Sequence, residues 1–271
     1  MNFLINDLKL NRFIFSLPWL LVSYLLLLFS YPAQNQSIAF WTAILVSFFG
    51  ARCLGMSLNQ IFDVDFDRRN VRTKNRALAS GMLSLSKAYA VATVSFLLLI
   101  LPLLFIGTTI FLYASVPILL IMTYSLTKRW TPFCHFWLGS IYFFLPTALS
   151  LALYGKIHQE SVLLGAAFAA FITAGDLLYS IQDRLIDQQE GLKSFPETFG
   201  VEKTVWMARF LVLLGLICLG SLHLYVSCLA LSLLWGRFLF FKAITEDTVA
   251  NRAFQTCNTF GALLLLLTFW V

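Results

Sequence analysis

The chain has 271 residues, of which 59% are hydrophobic and only 12% are charged, and its mean hydropathy is +0.82. This composition excludes a water-soluble globular domain, because apolar runs long enough to cross a bilayer recur along the chain. The net charge of +6 fits contact with anionic lipid head groups or an anionic substrate. No nucleic-acid-binding motif accompanies that charge. The composition therefore predicts a polytopic helical membrane protein.

Nine apolar segments have the length of a membrane-spanning helix. In chain order they lie near residues 13–31, 37–58, 87–105, 107–126, 132–154, 161–182, 205–222, 224–242 and 254–271. Almost no loop joins the third to the fourth, at Gly107, or the seventh to the eighth, at His223, so seven or eight segments are alternatives. No Gly-, Ser- or Pro-rich linker divides the chain. The predicted fold class is all-α, a transmembrane bundle of about nine helices in a single domain, 1–271.

The basic residues are distributed unevenly among the connections. Of the nineteen Lys and Arg, only Lys156 falls in a connection that follows an odd-numbered segment. The positive-inside rule then places the N-terminus in the cytoplasm and the C-terminus outside. We expect an integral protein of a bacterial inner (cytoplasmic) membrane, with its polar functional connections on the cytoplasmic side.

Two polar segments about 120 residues apart hold six of the thirteen acidic residues. The first acidic cluster spans 59–67, and the second acidic cluster spans 176–187. Each follows a long apolar segment, where a carboxylate is expensive and marks a functional site. The members of the first are Asn59, Asp63, Asp65 and Asp67, and those of the second are Asp176, Tyr179, Asp183 and Asp187.

The spacing within each cluster is helical. Asn59, Asp63 and Asp67 are at i, i+4 and i+8, and the second cluster follows i, i+3, i+7 and i+11, so each forms one polar stripe. Asp65 lies off the stripe and is expected to be solvated or paired with Arg68 or Arg69. Four or more carboxylates brought together would repel each other unless cations neutralised them. Ligands made only of oxygen suit Mg²⁺ shared with substrate phosphates.

Basic residues flank both clusters. Arg72 and Arg76 follow the first cluster, Lys193 follows the second, and Lys128 and Arg129 lie in the connection after the fourth segment. Arg and Lys beside metal-binding carboxylates are the groups that hold and release an anionic phosphoryl group. In a membrane protein, this combination predicts a lipid diphosphate substrate.

Three linked motifs carry a family resemblance. They are Arg52-x6-Asn59-x3-Asp63-x3-Asp67 followed by Arg72-Thr73-x2-Arg76-x4-Gly81; Tyr124-Ser-Leu-Thr-Lys128-Arg129-Trp-Thr131; and Tyr179-x3-Asp183-x3-Asp187-x3-Gly191-x-Lys193-Ser194. In these motifs and in the number and order of its helices, the chain resembles the UbiA-type membrane prenyltransferases along nearly its whole length.

The resemblance implies a reaction and its residues. Family members move a prenyl chain from its diphosphate to an aromatic ring, with Mg²⁺ drawing charge onto the diphosphate while the ring carbon next to a hydroxyl attacks the allylic cation. The implied metal ligands are Asn59, Asp63, Asp67, Asp176, Asp183 and Asp187. The implied catalytic residues are Asp63, Asp67, Tyr179, Asp183 and Asp187. The candidate diphosphate contacts are Arg72, Arg76, Lys128 and Lys193. Arg129 or Arg52 would pair with an acceptor carboxylate.

The resemblance also bounds the substrates. It implies a polyprenyl diphosphate and a small aromatic acid of the 4-hydroxybenzoate type, in respiratory quinone biosynthesis. Gln60, where many members have Asp, and the tail from Gly191 to Gly200 resemble a menaquinone branch of the family. A dihydroxynaphthoate-type acceptor is therefore the alternative.

Two other classes of protein are alternatives to an enzyme. An ion-coupled secondary transporter would place its charges centrally in the spans and show an internal repeat, whereas these charges lie at span ends beside basic loops. A non-catalytic quinone-binding scaffold would not need such a set of ligands of the kind that Mg²⁺ prefers. The three histidines, including His135, make no metal-ligand spacing, and we interpret them as interfacial or packing residues.

Overall fold

The computed structural model describes residues 16–32, 34–71, 73–225, 228, 231 and 232, and every regular element within them is helical. In chain order the helices are α1 (Leu17–Ser30), α2 (Ile38–Phe62), α3 (Val64–Arg69), α4 (Leu85–Ile106), α5 (Thr108–Thr127), α6 (Cys134–Tyr154), α7 (Gln159–Ser180), α8 (Arg184–Gln189), α9 (Phe195–Phe199) and α10 (Val201–Ser221). A single 3₁₀ turn, Ile181–Asp183, joins α7 to α8. Six of the helical segments are long and apolar enough to cross a membrane, and α1 is apolar but shorter. The predicted class, an all-α polytopic membrane protein, is confirmed.

The chain divides into two compact units. The first comprises Met1–Ser16 and Gln34–Leu126, and the second comprises Leu17–Ala33 and Thr127–Val271. The first acidic cluster therefore belongs to the first unit, and the second acidic cluster to the second. The prediction of a single domain concerns the whole chain and stays a prediction.

In the first unit, α2 packs closely against α4. The helix α2 begins after Ser37, whose Oγ accepts a hydrogen bond from the backbone N–H of Phe40 at 3.2 Å and so caps the first turn. At Gly50 a Cβ would lie 2.6 Å from the backbone nitrogen of Leu99 and 2.8 Å from the carbonyl oxygen of Ser95. The missing side chain lets the two helices approach at backbone distance, as small residues do in membrane bundles.

Gly107 separates α4 from α5. It has φ +151° and ψ +156°, a conformation that only glycine adopts without strain, and α5 begins at the next residue. The third and fourth predicted segments are therefore two helices. At the second short junction, His223 takes φ +60° just after the end of α10.

In the second unit, α7 is the central helix. In the most apolar 18-residue stretch of the segment Gln159–Gln189, 72% of the residues are buried. The corresponding shares are 33% in α6 and 44% in α10. The ring of Trp19 from α1 meets the ring of Phe168 edge to face, with centroids 4.6 Å apart. At Gly215 of α10 a Cβ would lie 2.8 Å from the ring of Phe171, so this glycine makes room for an aromatic side chain of α7.

Seven of the nine predicted segments are helices in the structure. The second runs four residues beyond its predicted end, to Phe62, and so carries Asn59 inside a spanning helix. The segment 254–271 and most of 224–242 lie outside the described residues.

Candidate active site

The first acidic cluster straddles the end of α2. At Asp63 the backbone takes φ −98° and ψ +6°, which ends α2 and opens α3. The hydrogen-bond ladder nevertheless continues, because the N–H of Asp63 donates to the carbonyl of Asn59 at 3.0 Å and the N–H of Asp67 donates to the carbonyl of Asp63 at 2.7 Å. The three residues therefore keep helical register, as their spacing predicts.

The side chains of this cluster are held by neighbours in the same unit. The amide nitrogen of Asn59 donates to Oδ2 of Asp63 at 2.7 Å and lies 3.4 Å from Oγ of Ser125 on α5. Nη1 of Arg76 donates to Oδ2 of the buried Asp67 at 2.6 Å. Arg76 is thereby placed beside the carboxylates, as expected of a phosphate-binding residue.

The second acidic cluster repeats this local structure. At Asp183 the backbone takes φ −91° and ψ −4°, between the end of α7 and the start of α8. Asp187 in α8 is 3% exposed, as Asp67 in α3 is 7% exposed. The segments 61–70 and 181–190 show the same succession of buried, half-buried and exposed positions. Each unit thus ends a spanning helix with a bend at one Asp and a buried Asp four residues later.

Lys128 supplies the cation of the second cluster. Its Nζ lies 3.5 Å from Oδ2 of Asp187, and its backbone carbonyl accepts a hydrogen bond from the N–H of Lys193 at 2.6 Å. Burial by itself lowers the pKa of Lys128, but the nearby acidic groups, Asp187 foremost and then Cys134, raise it by more, and the net pKa is above its ordinary value. The neighbouring acidic groups thus favour the charged form of Lys128. Asp183 and Asp176 also act electrostatically on this ammonium group.

Asp176 has a partner that the sequence did not identify. Its Oδ2 lies 2.7 Å from Nδ1 of His135 in the first turn of α6, and His135 is 1% exposed. A lone histidine without a ligand spacing gives no signal in the sequence, so His135 was interpreted as a packing residue. Its contact with a carboxylate 41 positions away arises only from the packing of α6 on α7.

The remaining candidates lie in different surroundings. Arg52 is half-buried in α2, and its Nε is buried with no hydrogen-bond partner in the part of the chain that the structure describes. Arg129 and Lys193 are exposed, and Tyr179 is half-buried in the last turn of α7. Arg72 lies outside the described residues.

Asp65 behaves as a residue outside the stripe. It is exposed, and its Oδ1 lies 3.2 Å from Nη1 of Arg68, as the sequence predicts. An exposed pair of this kind contributes little to stability.

The donor set fits Mg²⁺ held together with a diphosphate. Within either unit, no three described His, Cys, Asp or Glu side chains converge as a metal cage. Mg²⁺ rarely uses such a cage, since it is usually bound by one or two carboxylates together with substrate phosphates and water. Carboxylate and amide oxygens beside Arg76 and Lys128 are suited to that arrangement.

Comparison with known proteins defines the class. The model of the UbiA prenyltransferase family matches residues 17–269, and the chain belongs to that family. It is therefore an enzyme, an integral-membrane aromatic prenyltransferase by class.

Individual relatives agree with this membership. The chain is 28% identical over 223 residues to a 4-hydroxybenzoate octaprenyltransferase of Francisella tularensis subsp. novicida (strain U112). The aligned region covers 80% of this chain and 78% of that protein. The apo structure of a UbiA homologue from Aeropyrum pernix K1 shares the fold with a TM-score of 0.81 and 22% identity, covering 95% of this chain and 96% of that one. The structure of a UbiA homologue from Archaeoglobus fulgidus bound to GPP and Mg²⁺ is similar with a TM-score of 0.69 and 15% identity. That match covers 98% of this chain and 99% of the homologue.

Proposed function

We propose that this enzyme transfers the prenyl chain of a polyprenyl diphosphate to a small aromatic acid in respiratory quinone biosynthesis, with Mg²⁺ as its cofactor. The observation that carries the proposal is the repeated polar arrangement: in each unit, one Asp stands at a helix bend, and a second Asp, four residues later, is buried beside a cation. The cations are Arg76 for Asp67 and Lys128 for Asp187. Carboxylates for a metal and cations for a diphosphate are thus adjacent at both helix ends.

The chain's own groups supply binding and orientation. The residues proposed to hold Mg²⁺ and the diphosphate are Asn59, Asp63, Asp67, Asp183 and Asp187, with Arg72, Arg76, Lys128 and Lys193 as diphosphate contacts and Tyr179 nearby. When bound, Mg²⁺ supplies positive charge that stabilises the negative charge gathering on the leaving diphosphate. Arg76 and Lys128 are each suited to stabilise negative charge on a diphosphate, and because neighbouring carboxylates already hold them, little reorganisation is needed.

The acceptor needs a cation of its own. A carboxylated aromatic that enters an apolar region is costly to bind unless its charge is paired. Arg52 lies seven residues before Asn59, hence on the same face of α2, and its Nε is a buried donor with no hydrogen-bond partner among the described residues. Arg129 is exposed and is the alternative. We favour Arg52 as the acceptor-binding residue.

Kinetics of the two arginine variants test this assignment. Arg52→Ala should raise the KM for the aromatic acid on the order of 10-fold or more while leaving the KM for the prenyl diphosphate nearly unchanged, because only the acceptor loses its charged contact. Arg52→Lys should restore part of the loss, since an ammonium group lacks the planar fork. Arg129→Ala is the matched control. An acceptor-specific effect in Arg129→Ala alone would assign the carboxylate to Arg129.

The acceptor class is proposed as 4-hydroxybenzoate-like, and a relative of that name supports it. A dihydroxynaphthoate is the alternative that Gln60 supports. Membranes that contain the enzyme should be incubated with radiolabelled geranyl diphosphate and a panel of both acceptor types, and the products identified. A prenylated hydroxybenzoate alone supports the proposal, and a prenylated naphthoate alone assigns the enzyme to the menaquinone route.

The two non-enzymatic alternatives are set aside. Membership of a prenyltransferase family accounts for the carboxylates without an ion relay or a binding scaffold. We further propose that the protein lies in a bacterial inner membrane, with both acidic clusters at its cytoplasmic side, because the basic connections follow the even-numbered segments.

A further inference from the structure

The contact between His135 and Asp176 joins a fully buried ring to a half-buried carboxylate. The carboxylate oxygen of Asp176 accepts, so Nδ1 of His135 carries the hydrogen of the 2.7 Å bond. The other ring nitrogen, Nε2, is buried and has no hydrogen-bond partner in the described part of the chain. The bond to Asp176 orients the ring, and a buried histidine held in this way calls for an explanation beyond packing.

Close helix packing enforces this contact. One turn after His135 stands Gly139, where a Cβ would lie 2.0 Å from Oγ1 of Thr173 and 2.7 Å from the carbonyl oxygen of Ala169. Thr173 lies three residues before Asp176, on the same face of α7. At this level α6 and α7 touch almost without intervening side chains. This close approach holds the start of α6 beside the last turns of α7, where His135 and Asp176 meet.

The bond between His135 and Asp176 joins the chain segment that follows Lys128 to the segment that carries the second acidic cluster. Lys128 stands seven residues before His135, and Asp183 stands seven residues after Asp176. The ammonium of Lys128 lies 3.5 Å from Asp187, and Asp176 also acts on it electrostatically. A bond that ties the start of α6 to the last turns of α7 thus fixes where the lysine and the two carboxylates meet.

Resting on the proposed function, we infer that His135 and Asp176 are positioning residues of the second acidic cluster. Asp176 is bonded to His135 and is not a Mg²⁺ ligand, although its place in the stripe resembles one. The pair holds Lys128 beside Asp187 in the geometry that Mg²⁺ and a diphosphate require.

Counting bound metal ions tests the role of Asp176. Mn²⁺ replaces Mg²⁺ as a paramagnetic probe, and its binding with inorganic diphosphate is measured by EPR on the full chain in detergent. The Asp176→Asn variant should bind as many Mn²⁺ ions as the wild type, while Asp183→Asn, the matched control, should lose at least one. If Asp176→Asn loses an ion as Asp183→Asn does, Asp176 is a ligand and the inference is wrong.

Two substitutions at His135 test positioning. The side-chain nitrogen of Asn stands the same number of bonds from Cα as Nδ1 of His, whereas Leu fills a similar space without a donor. His135→Leu should weaken Mn²⁺ and diphosphate binding about 10-fold or more, and His135→Asn should recover most of that affinity. A merely structural role would not be rescued in this pattern.

The outcomes separate this inference from the proposed function. Wild-type affinity in His135→Leu, or Asn no better than Leu, overturns the positioning role and leaves the proposed function standing. If His135→Leu does not fold, the variants His135→Asn and Asp176→Asn still test the inference. The inference is contradicted if both variants unfold at the wild-type temperature and yet bind Mn²⁺ and diphosphate at least 10-fold more weakly. Failure of the wild type itself to bind Mn²⁺ with diphosphate refutes the proposed function and this role with it.

Discussion

A carboxylate at the end of a membrane-spanning helix is costly unless a cation, a metal ion or a hydrogen-bond donor neutralises it. In this chain the buried Asp67 is bonded to Arg76, and the buried Asp187 lies beside Lys128. Each of these two buried carboxylates is therefore paired with a cation of its own unit.

The first prediction concerns Asp63 and Asp183, which stand at the two helix bends. Replacing either with Ala should lower prenyl transfer on the order of 100-fold or more, since each is proposed to hold a catalytic metal ion. The measurement is transfer of a radiolabelled prenyl group by the purified variant. Asp65→Ala is the matched control, because Asp65 is exposed and off the stripe, and it should stay near wild type. Comparable losses in Asp63→Ala and Asp65→Ala would contradict the assignment.

Spacing along the chain predicts some site contacts and not others. The bond from Asn59 to Asp63 follows from helical periodicity, so the sequence is enough to predict it. The contact of Lys128 with Asp187 joins the turn after α5 to α8, 59 positions along the chain, and only tertiary packing brings them together. For the same reason the partner of Asp176 could not be predicted.

At the scale of elements, hydropathy predicts spans but not their ends. A bilayer requires about 20 apolar residues per helix, so α4 and α5 were recognisable by length. The short helices α3 and α8 carry Asp67 and Asp187 beyond the apolar runs, where hydropathy gives no signal. The bends that begin them depend on backbone angles at single residues.

The second prediction concerns the packing of α6 on α7. Gly139→Ala should destabilise the protein by about 1–3 kcal/mol, because the new methyl group would overlap Thr173 and the carbonyl of Ala169. Thermal unfolding in detergent measures the loss. Adding Thr173→Ala should recover only part of it, since the carbonyl remains. Gly220→Ala in α10 is the control, because nothing lies within 4 Å of the added Cβ, and it should be neutral or slightly stabilising. An unfolding temperature equal to wild type in Gly139→Ala would show that the close approach is absent.

The third prediction concerns the connection between α6 and α7. His158 stacks on the ring of Tyr31, with centroids 3.7 Å apart, and its Nδ1 lies 2.9 Å from Oγ of Ser150. Burial, and then the nearby Lys156, lower the pKa of His158 below its ordinary value, while Glu160 opposes the shift. The folded state therefore binds a proton less readily than the unfolded state.

The sign of the pH effect follows from that difference. The stability contributed by neutral His158 is present above about pH 6.5 and is lost as pH falls through and below that value. Unfolding temperatures measured between pH 5 and 8 should decline on the acid side in the wild type, and the decline should be shallower in His158→Gln. An equally steep decline in the variant would mean that other groups cause it.

At the scale of the whole molecule, one local design occurs twice. The segments 61–70 and 181–190 share their bend and their burial pattern, yet their sequences share little beyond Ile at the first position and the two aspartates. The repeat of Asp-x3-Asp was visible in the sequence. The common backbone path was not, because few of the other residues recur.

The fourth prediction concerns topology. In a background without the native cysteines, Val71→Cys and Gln189→Cys, next to the two clusters, should react with a membrane-impermeant thiol reagent only from the cytoplasmic side. Ile157→Cys, beside Lys156, should react only from outside. All three positions are exposed, so access is governed by the membrane. Labelling of all three from one face would refute the predicted orientation.

The central claim is Mg²⁺-dependent transfer of a prenyl group to an aromatic acid. The most direct measurement uses the purified protein in detergent with radiolabelled geranyl diphosphate and 4-hydroxybenzoate, first with Mg²⁺, then with excess EDTA, then with Mg²⁺ restored. The carboxylates and cations at the two helix ends predict that labelled prenylated product forms with Mg²⁺, disappears with EDTA and returns when Mg²⁺ is added. Product formation undiminished by EDTA would contradict the account.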